Sequence, residues 1–308
     1  MFAAVVEQAG QAPRYREFAD PVAAAGYQVV RMRAAAVHRV VRSLAAGTHY
    51  AAGAFPLIPG VDGVAETADG RRVHVLGPAA PYGTLGQYAP VPGAAMTPVP
   101  DGLSDAQAAA IVNPAMSSLI PLRGVAAFEP GATVVVIGAT GAAGRVAVRL
   151  AERLGAGRVL AVGRRVAGRV PEGPAVLPVE LDGSDEQVVD RLRAAAPDGI
   201  DVVIDYLWGH PGLLTLTAVA GRTRGCTYVQ VGALAGEELP LPSSVLRSTP
   251  VRIVGSGLGS VDLADITRAI PEILELAAAG AIDVEATVAP LADVERAWAE
   301  PGRLVLTC

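Results

Sequence analysis

The feature that most constrains this chain is a short run of glycines in a particular setting. The segment Gly138-Ala139-Thr140-Gly141-Ala142-Ala143-Gly144 follows the apolar stretch Thr133 to Ile137 and opens an amphipathic one. An unbroken apolar run of that length suits a strand buried on both faces of a parallel sheet. From Ala142 to Leu154 the apolar residues Val146, Leu150 and Leu154 recur at helical spacing, while Arg145, Arg149, Glu152 and Arg153 turn away. A glycine loop between a strand and a helix can take a phosphate. Gly138 permits the tight turn, Gly141 lets backbone approach a pyrophosphate, and Gly144 lets the helix pack close to the sheet. Thr140, Ala142 and Ala143 complete the cradle, and the helix start offers unpaired N–H groups and a positive dipole end. The spacing is GxxGxxG, a variant of GxGxxG, and it reads as a dinucleotide site. A purely structural turn is the alternative.

The next strand, Arg158 to Val162, bears on which dinucleotide. Folds that select NAD place an acid about 20 residues after the loop, on the ribose hydroxyls. Here the strand ends in Gly163-Arg164-Arg165, with no acid. Two guanidiniums can grip a 2′-phosphate in bidentate fashion, so the expected cofactor is NADP(H). Solvated surface arginines are the other reading of the pair.

Further strands are expected at Asp201 to Asp205 and Thr227 to Val231, with helical stretches between them, and a helix at Ile266 to Ala278. Alternation of this kind means α/β architecture with a doubly wound parallel sheet. Ahead of it, Ser104 can cap a helix starting at Asp105, with Gln107 at the capping-box position. The first hundred residues read differently. They are rich in Gly, Pro and short alternating runs, as in Gln28 to Val37, where Val30, Met32, Ala34 and Ala36 share one face and Arg31 and Arg33 the other. Arg72 to Leu76 alternates too, which should turn His74 outward between Val73 and Val75. The last thirty residues return to β-like runs ending at Leu304-Val305-Leu306.

Composition removes several function classes. The net charge is −5 and is not gathered into runs, which argues against a nucleic-acid surface. Two cysteines, Cys226 and Cys308, cannot build a disulfide framework or a cysteine-rich metal site. All 25 basic side chains are arginine, so there is no Walker lysine and no Schiff-base lysine. No stretch is apolar enough to span a membrane and the start lacks a signal-peptide layout, so a cytoplasmic protein is expected.

Beyond these local readings, the chain resembles the zinc-independent quinone oxidoreductase branch of the medium-chain dehydrogenase/reductase superfamily over nearly its whole length. The likeness rests on AAAVHRVVRSLAAG, FPLIPGVDGVAE, AAAIVNPAMSSLIPL, the GATGAAG loop, and the closing PLADVERAW and RLVLT. It implies a Rossmann NADP-binding domain, at residues 106–279, and a GroES-like β-rich catalytic domain, at 1–105 and 280–308. The zinc-dependent members hold a catalytic metal at positions that here carry His38, Val61 and Asn113. Valine cannot ligate, and one histidine with an amide is a poor set, so no metal is expected. The cofactor segment after Arg165 departs from the family, because Pro171, Gly173 and Pro174 should break or shorten the usual second helix.

The resemblance suggests site residues. Tyr50 resembles an active-site loop tyrosine that donates to a carbonyl oxygen. His38 stands where the branch usually has Asn and is a candidate to hydrogen-bond substrate or the nicotinamide ribose. Asn113 is a candidate to orient substrate or carboxamide, and Ser117, four residues on, matches a threonine near the nicotinamide. Tyr206 and Trp208, at the carboxyl edge of a strand, are candidates to flank the adenine or shape the pocket. Val231-Gly232-Ala233 resembles a backbone clamp on the nicotinamide, and Ser256 with Gly257 lies in a glycine-rich turn suited to close approach. Each has plain packing as its alternative, and Asp62 in its Gly-flanked turn reads as structural. The implied function is NADPH-dependent hydride transfer to a quinone or an enone C=C, with a small-molecule substrate and a homodimer, and with neither nucleic acid nor membrane as partner. The alternatives are a carbonyl/alcohol oxidoreductase, a secondary-metabolite tailoring enzyme, or a non-catalytic NADPH-binding protein.

Overall fold

The computed structural model describes residues 1–49, 52–221 and 225–308. The chain divides into two units, Met1–Asn113 with Ile270–Cys308, and Pro114–Ala269. The sequence pattern suggests 105/106 and 279/280 instead. The observed divisions fall inside two helices, so the start and stop signals of those helices do not coincide with the unit borders.

In chain order the first unit carries β1 (Phe2–Val5), β2 (Arg14–Glu17), β3 (Tyr27–Val37), α1 (Arg39–Ala46), β4 (Asp62–Glu66), β5 (Arg72–Leu76), β6 (Tyr88–Pro92) and β7 (Met96–Pro98). Helix α2 (Asp105–Ile120) starts in this unit. Its cap is as the sequence indicates: the Gln107 backbone N–H donates to Ser104 Oγ at 3.3 Å, and the Ser104 backbone N–H donates to Gln107 Oε1 at 3.3 Å. β3, β4, β5 and β7 pair antiparallel in that order, and β6 joins β3. Val30, Met32, Val73, Val75, Ala89 and Val91 fill one core. The alternation expected in β3 holds at its start and then stops, since Ala34 to Val37 are all buried. β5 breaks the rule as well: Val73 to Leu76 are buried without interruption, and His74 is fully buried rather than turned outward. Alternation exposes a residue only where one sheet face meets water, and here both faces of β5 are covered.

The second unit carries β8 (Thr133–Ile137), α3 (Ala142–Arg153), β9 (Arg158–Gly163), β10 (Val176–Glu180), α4 (Asp185–Ala195), β11 (Val202–Asp205), α5 (Gly209–Val219), β12 (Cys226–Gln230), α6 (Ser243–Ser248) and β13 (Val251–Gly255). Its sheet is parallel throughout, in the order β10-β9-β8-β11-β12-β13. The unit's first strand, β8, is therefore central, and the winding reverses between β8 and β11, the point where open α/β sheets bind ligands at the carboxyl ends of their strands. All five residues of β8 are buried. No helix forms between β9 and β10, as Pro171, Gly173 and Pro174 lead one to expect. Helix α7 (Leu263–Ala278) leads back to the first unit, which closes with β14 (Thr287–Pro290), α8 (Val294–Ala297) and β15 (Leu304–Thr307), β15 pairing antiparallel with β3.

Candidate functional site

The glycine loop takes its shape from three distinct constraints. Gly138 has φ +89°, where an L side chain is strained. Its N–H and that of Ala139 both reach the Val162 carbonyl, at 2.9 and 3.0 Å, which ties the loop to the end of β9. A Cβ on Gly144 would lie 2.2 Å from the Gly138 oxygen, so only glycine lets α3 start this close to the loop. The obstacle is the loop itself, not the body of the sheet. A Cβ on Gly141 would meet nothing nearer than 3.4 Å. Gly141 is exposed and caps α3 without any side-chain bond. The first intrahelical bond runs from Arg145 N–H to Gly141 O, so the N–H groups of Ala142, Ala143 and Gly144 precede it. This is a cradle for an anion with nothing of the chain's own side chains capping it.

Beside the loop, β9 ends at Gly163, where an added Cβ would meet Thr140 at 3.4 Å and Val166 at 3.1 Å. Arg164 and Arg165 follow, both exposed. Among the described residues neither guanidinium has an ion-pair partner in the fold. Arg165 takes φ +53°, a conformation that costs an L residue about 1–2 kcal/mol. A nearby acid was missed from the sequence: Glu180, fifteen residues on, accepts the Arg165 N–H at 2.7 Å and the Val166 N–H at 2.8 Å. Parallel register brings it there, since Glu180 pairs with Gly163 across the strand ends. The loop, the open helix start and the two unpaired guanidiniums fit a dinucleotide bearing a 2′-phosphate.

Other expected cofactor residues are engaged within the unit. The Tyr206 hydroxyl donates to Ser117 O at 2.9 Å and lies 2.8 Å from Ser118 Oγ. Tyr206 is buried, and burial raises its pKa despite these bonds. That placement makes it a strut between the end of β11 and α2. Ser117 Oγ donates to the Pro114 carbonyl in its own helix, and Asn113 is half-buried one residue before that proline. Trp208 packs edge-on against Tyr228, with ring centroids 6.0 Å apart, and takes φ +57°. Asp205 holds that turn: it accepts the Leu207 and Trp208 N–H groups at 2.7 and 3.0 Å, and the Tyr228 hydroxyl donates to its other oxygen. The Val231 and Gly232 N–H groups both reach Asp205 O, at 2.8 and 3.1 Å, so this part of the expected clamp is already satisfied, whereas Ala233 follows in the turn. Ser256 is buried with its N–H on Gln230 O, and Gly257 has open space where a Cβ would be.

In the first unit the expected site residue His38 caps α1 by position and is buried. Its Nε2 lies 2.9 Å from Asp62 Oδ1. Asp62 is the first residue of β4 and fully buried. His74 Nε2 stands 3.8 Å from its other oxygen, an ion-pair distance but too long for a hydrogen bond. Burial alone would raise the Asp62 pKa; His38 and His74 outweigh it and hold the carboxyl well below the usual carboxylate range. Arg303 is half-buried, with burial lowering its pKa and the Asp62 charge opposing that. His38 Nδ1, Asp62 Oδ2 and both ring nitrogens of His74 are buried without hydrogen-bond partners among the described residues. The pairing of Asp62 with two histidines is invisible in sequence, because 24 residues separate the hydrogen-bonded pair. Tyr50 lies outside the described residues. Among the described residues no group of three or more His, Cys, Asp or Glu side chains is arranged to hold a metal ion.

No protein-family model matches the chain. The chain is similar to a probable NADPH-dependent quinone reductase, tdiC, of Emericella nidulans, with 35% identity over 209 residues, covering 62% of this chain and 57% of that protein. The quinone oxidoreductase of Thermus thermophilus, solved also as its complex with NADPH, superposes with a TM-score of 0.80 at 25% identity, and both chains are covered completely. Fold and sequence together make the chain similar to quinone oxidoreductases. The Escherichia coli quinone oxidoreductase complexed with NADPH shares the fold, with a TM-score of 0.83 at 18% identity over both full chains. Alignment to the curated relatives spans a little over half their length, 57% for tdiC and 56% for a quinone oxidoreductase-like protein 2 homolog of Nematostella vectensis.

Proposed function

We propose that this quinone oxidoreductase relative is an NADPH-dependent, zinc-independent reductase that acts on a quinone or on the C=C bond of an enone. The observation that carries the reading is the exposed pair Arg164 and Arg165, whose guanidiniums have no ion-pair partner among the described residues, next to an open phosphate cradle. NADPH, when bound, supplies the hydride. The N–H groups of Ala142, Ala143 and Gly144 would hold the pyrophosphate, and the two guanidiniums would hold the 2′-phosphate. The names of the curated and structural relatives support the cofactor and the acceptor class.

The acceptor also needs a hydrogen bond to its developing oxyanion, and then a proton. His38 suits that role as the imidazolium: its Nε2–H donates to Asp62, and its Nδ1–H is left without a hydrogen-bond partner among the described residues. Tyr50 and Asn113 remain the other proposed groups around the substrate. Val61 at the middle ligand position supports metal-free chemistry. A homodimer is part of the proposal: β13 is an edge strand, and Leu246, Ile253 and Leu258 near it are exposed. The cytoplasmic location belongs to it too; no helix among the described residues is long and apolar enough to cross a membrane.

The test is a panel of quinones, enones and aldehydes offered with NADPH and with NADH, following nicotinamide absorbance. Turnover of a quinone or enone with NADPH as the preferred donor is the expected result. Turnover confined to aldehydes moves the chain to the carbonyl reductases. Tight NADPH binding with no acceptor reduced overturns the enzymatic reading in favour of a binding protein.

A further inference from the structure

Glu180 presents a contradiction that its bonds resolve. A carboxylate beside a phosphate site ought to repel the phosphate, yet this one sits in the turn that carries both arginines. Its two oxygens each accept a backbone N–H, from Arg165 and from Val166. Successive N–H groups around a left-handed residue form a concave anion site, and here the chain fills that site with its own carboxylate. Arg165 is held at φ +53° by this arrangement. The turn has no helix behind it to fix it, because 164–175 is irregular between β9 and β10. Glu180 itself is anchored by register at the end of β10, and the adjacent Leu181 N–H bonds Gly163 O at 2.8 Å.

We propose that Glu180 is the positioning residue for cofactor selection: it clamps the backbone of the Arg164–Arg165 turn so that both guanidiniums stay presented to a 2′-phosphate. The inference rests on the reading that the two arginines hold that phosphate. The carboxylate charge is met by two backbone N–H donors and leaves the guanidiniums unpaired with it. A direct Glu–Arg pair would instead compete with the ligand.

The test is calorimetric binding of NADPH and NADH, with a melting curve for each variant. Glu180→Ala should weaken NADPH about tenfold, as loss of two charge-assisted bonds at a strained turn implies, and change NADH less than about twofold. Glu180→Gln keeps the shape and one acceptor oxygen, so it should fall between wild type and Glu180→Ala; if the alanine variant fails to fold, the NADPH-to-NADH ratio of the glutamine variant decides. Tighter NADPH binding in either variant overturns the inference, because the carboxylate then acts as a repelling charge. Equal weakening of both cofactors also overturns it, because the role is then structural only. The double variant Arg164→Ala/Arg165→Ala separates the two levels. If it keeps the NADPH preference, the arginine reading fails and takes the inference with it. If it loses the preference while Glu180→Ala keeps it, only the inference about Glu180 fails.

Discussion

Among the described residues each of the two units buries one carboxylate, and they treat it in opposite ways. Asp62 is surrounded by groups that carry or can carry positive charge, His38, His74 and Arg303, and its pKa is held down against the cost of burial. Asp205 meets neutral donors, the Tyr228 hydroxyl and two backbone N–H groups, and there burial wins and raises its pKa. The contrast separates two uses of charge. The first unit keeps its ions inside and balanced against one another. The second satisfies its buried acid with neutral groups and leaves the Arg164 and Arg165 guanidiniums in solvent with no ion-pair partner among the described residues, where a ligand can use them.

The largest effect should come from breaking that balance in the first unit. Asp62→Asn leaves two buried histidines without their anion, and should cost about 3 kcal/mol or more at neutral pH, read by denaturant unfolding. Asp205→Asn keeps most of its neutral hydrogen bonds and should cost less, about 1–2 kcal/mol. Their pH trends should have opposite signs. A depressed carboxyl contributes stability that is present above about pH 4 and lost as pH falls, so the cost of Asp62→Asn shrinks in acid. A raised carboxyl contributes stability that is present below about pH 4 and lost as pH rises through the folded-state value, so the cost of Asp205→Asn grows in acid. Parallel trends would dissolve the comparison.

A loss smaller than that of Asp62→Asn is expected at the phosphate loop. Gly144→Ala places a methyl where 2.2 Å separates it from the Gly138 oxygen, which should cost about 1–3 kcal/mol in thermal unfolding and displace the loop enough to weaken NADPH. An unchanged affinity would mean that the loop tolerates displacement and does not set the cofactor's position. Smallest is Tyr206→Phe, which removes the link to Ser117 O and Ser118 Oγ. It should cost about 1 kcal/mol of stability and leave NADPH affinity alone. A large loss of affinity there would restore Tyr206 as a cofactor residue.

Legibility in the sequence followed the same divide. The strand, glycine loop and helix from Thr133 to Arg153 are contiguous, so their pattern carries both fold and candidate ligand. The shortened cofactor segment was legible for the same local reason, in Pro171, Gly173 and Pro174. The His38–Asp62–His74 cluster was not. His74 breaks the rule of alternation because both faces of β5 are covered, and Asp62 stands far from His38 along the chain. Glu180 escaped notice because only parallel pairing with β9 brings it to Arg165. Tyr206 and Trp208 were visible as residues at a strand end, but only side-chain geometry shows that the Tyr206 hydroxyl faces α2.

The central claim is that the chain selects NADPH through the arginines that follow β9. Titrating the wild-type protein and Arg164→Ala with NADPH and with NADH tests it most directly. The account predicts that wild type prefers NADPH, and that Arg164→Ala weakens NADPH about tenfold while NADH holds nearly constant. Equal losses for the two cofactors, or none for either, would contradict it.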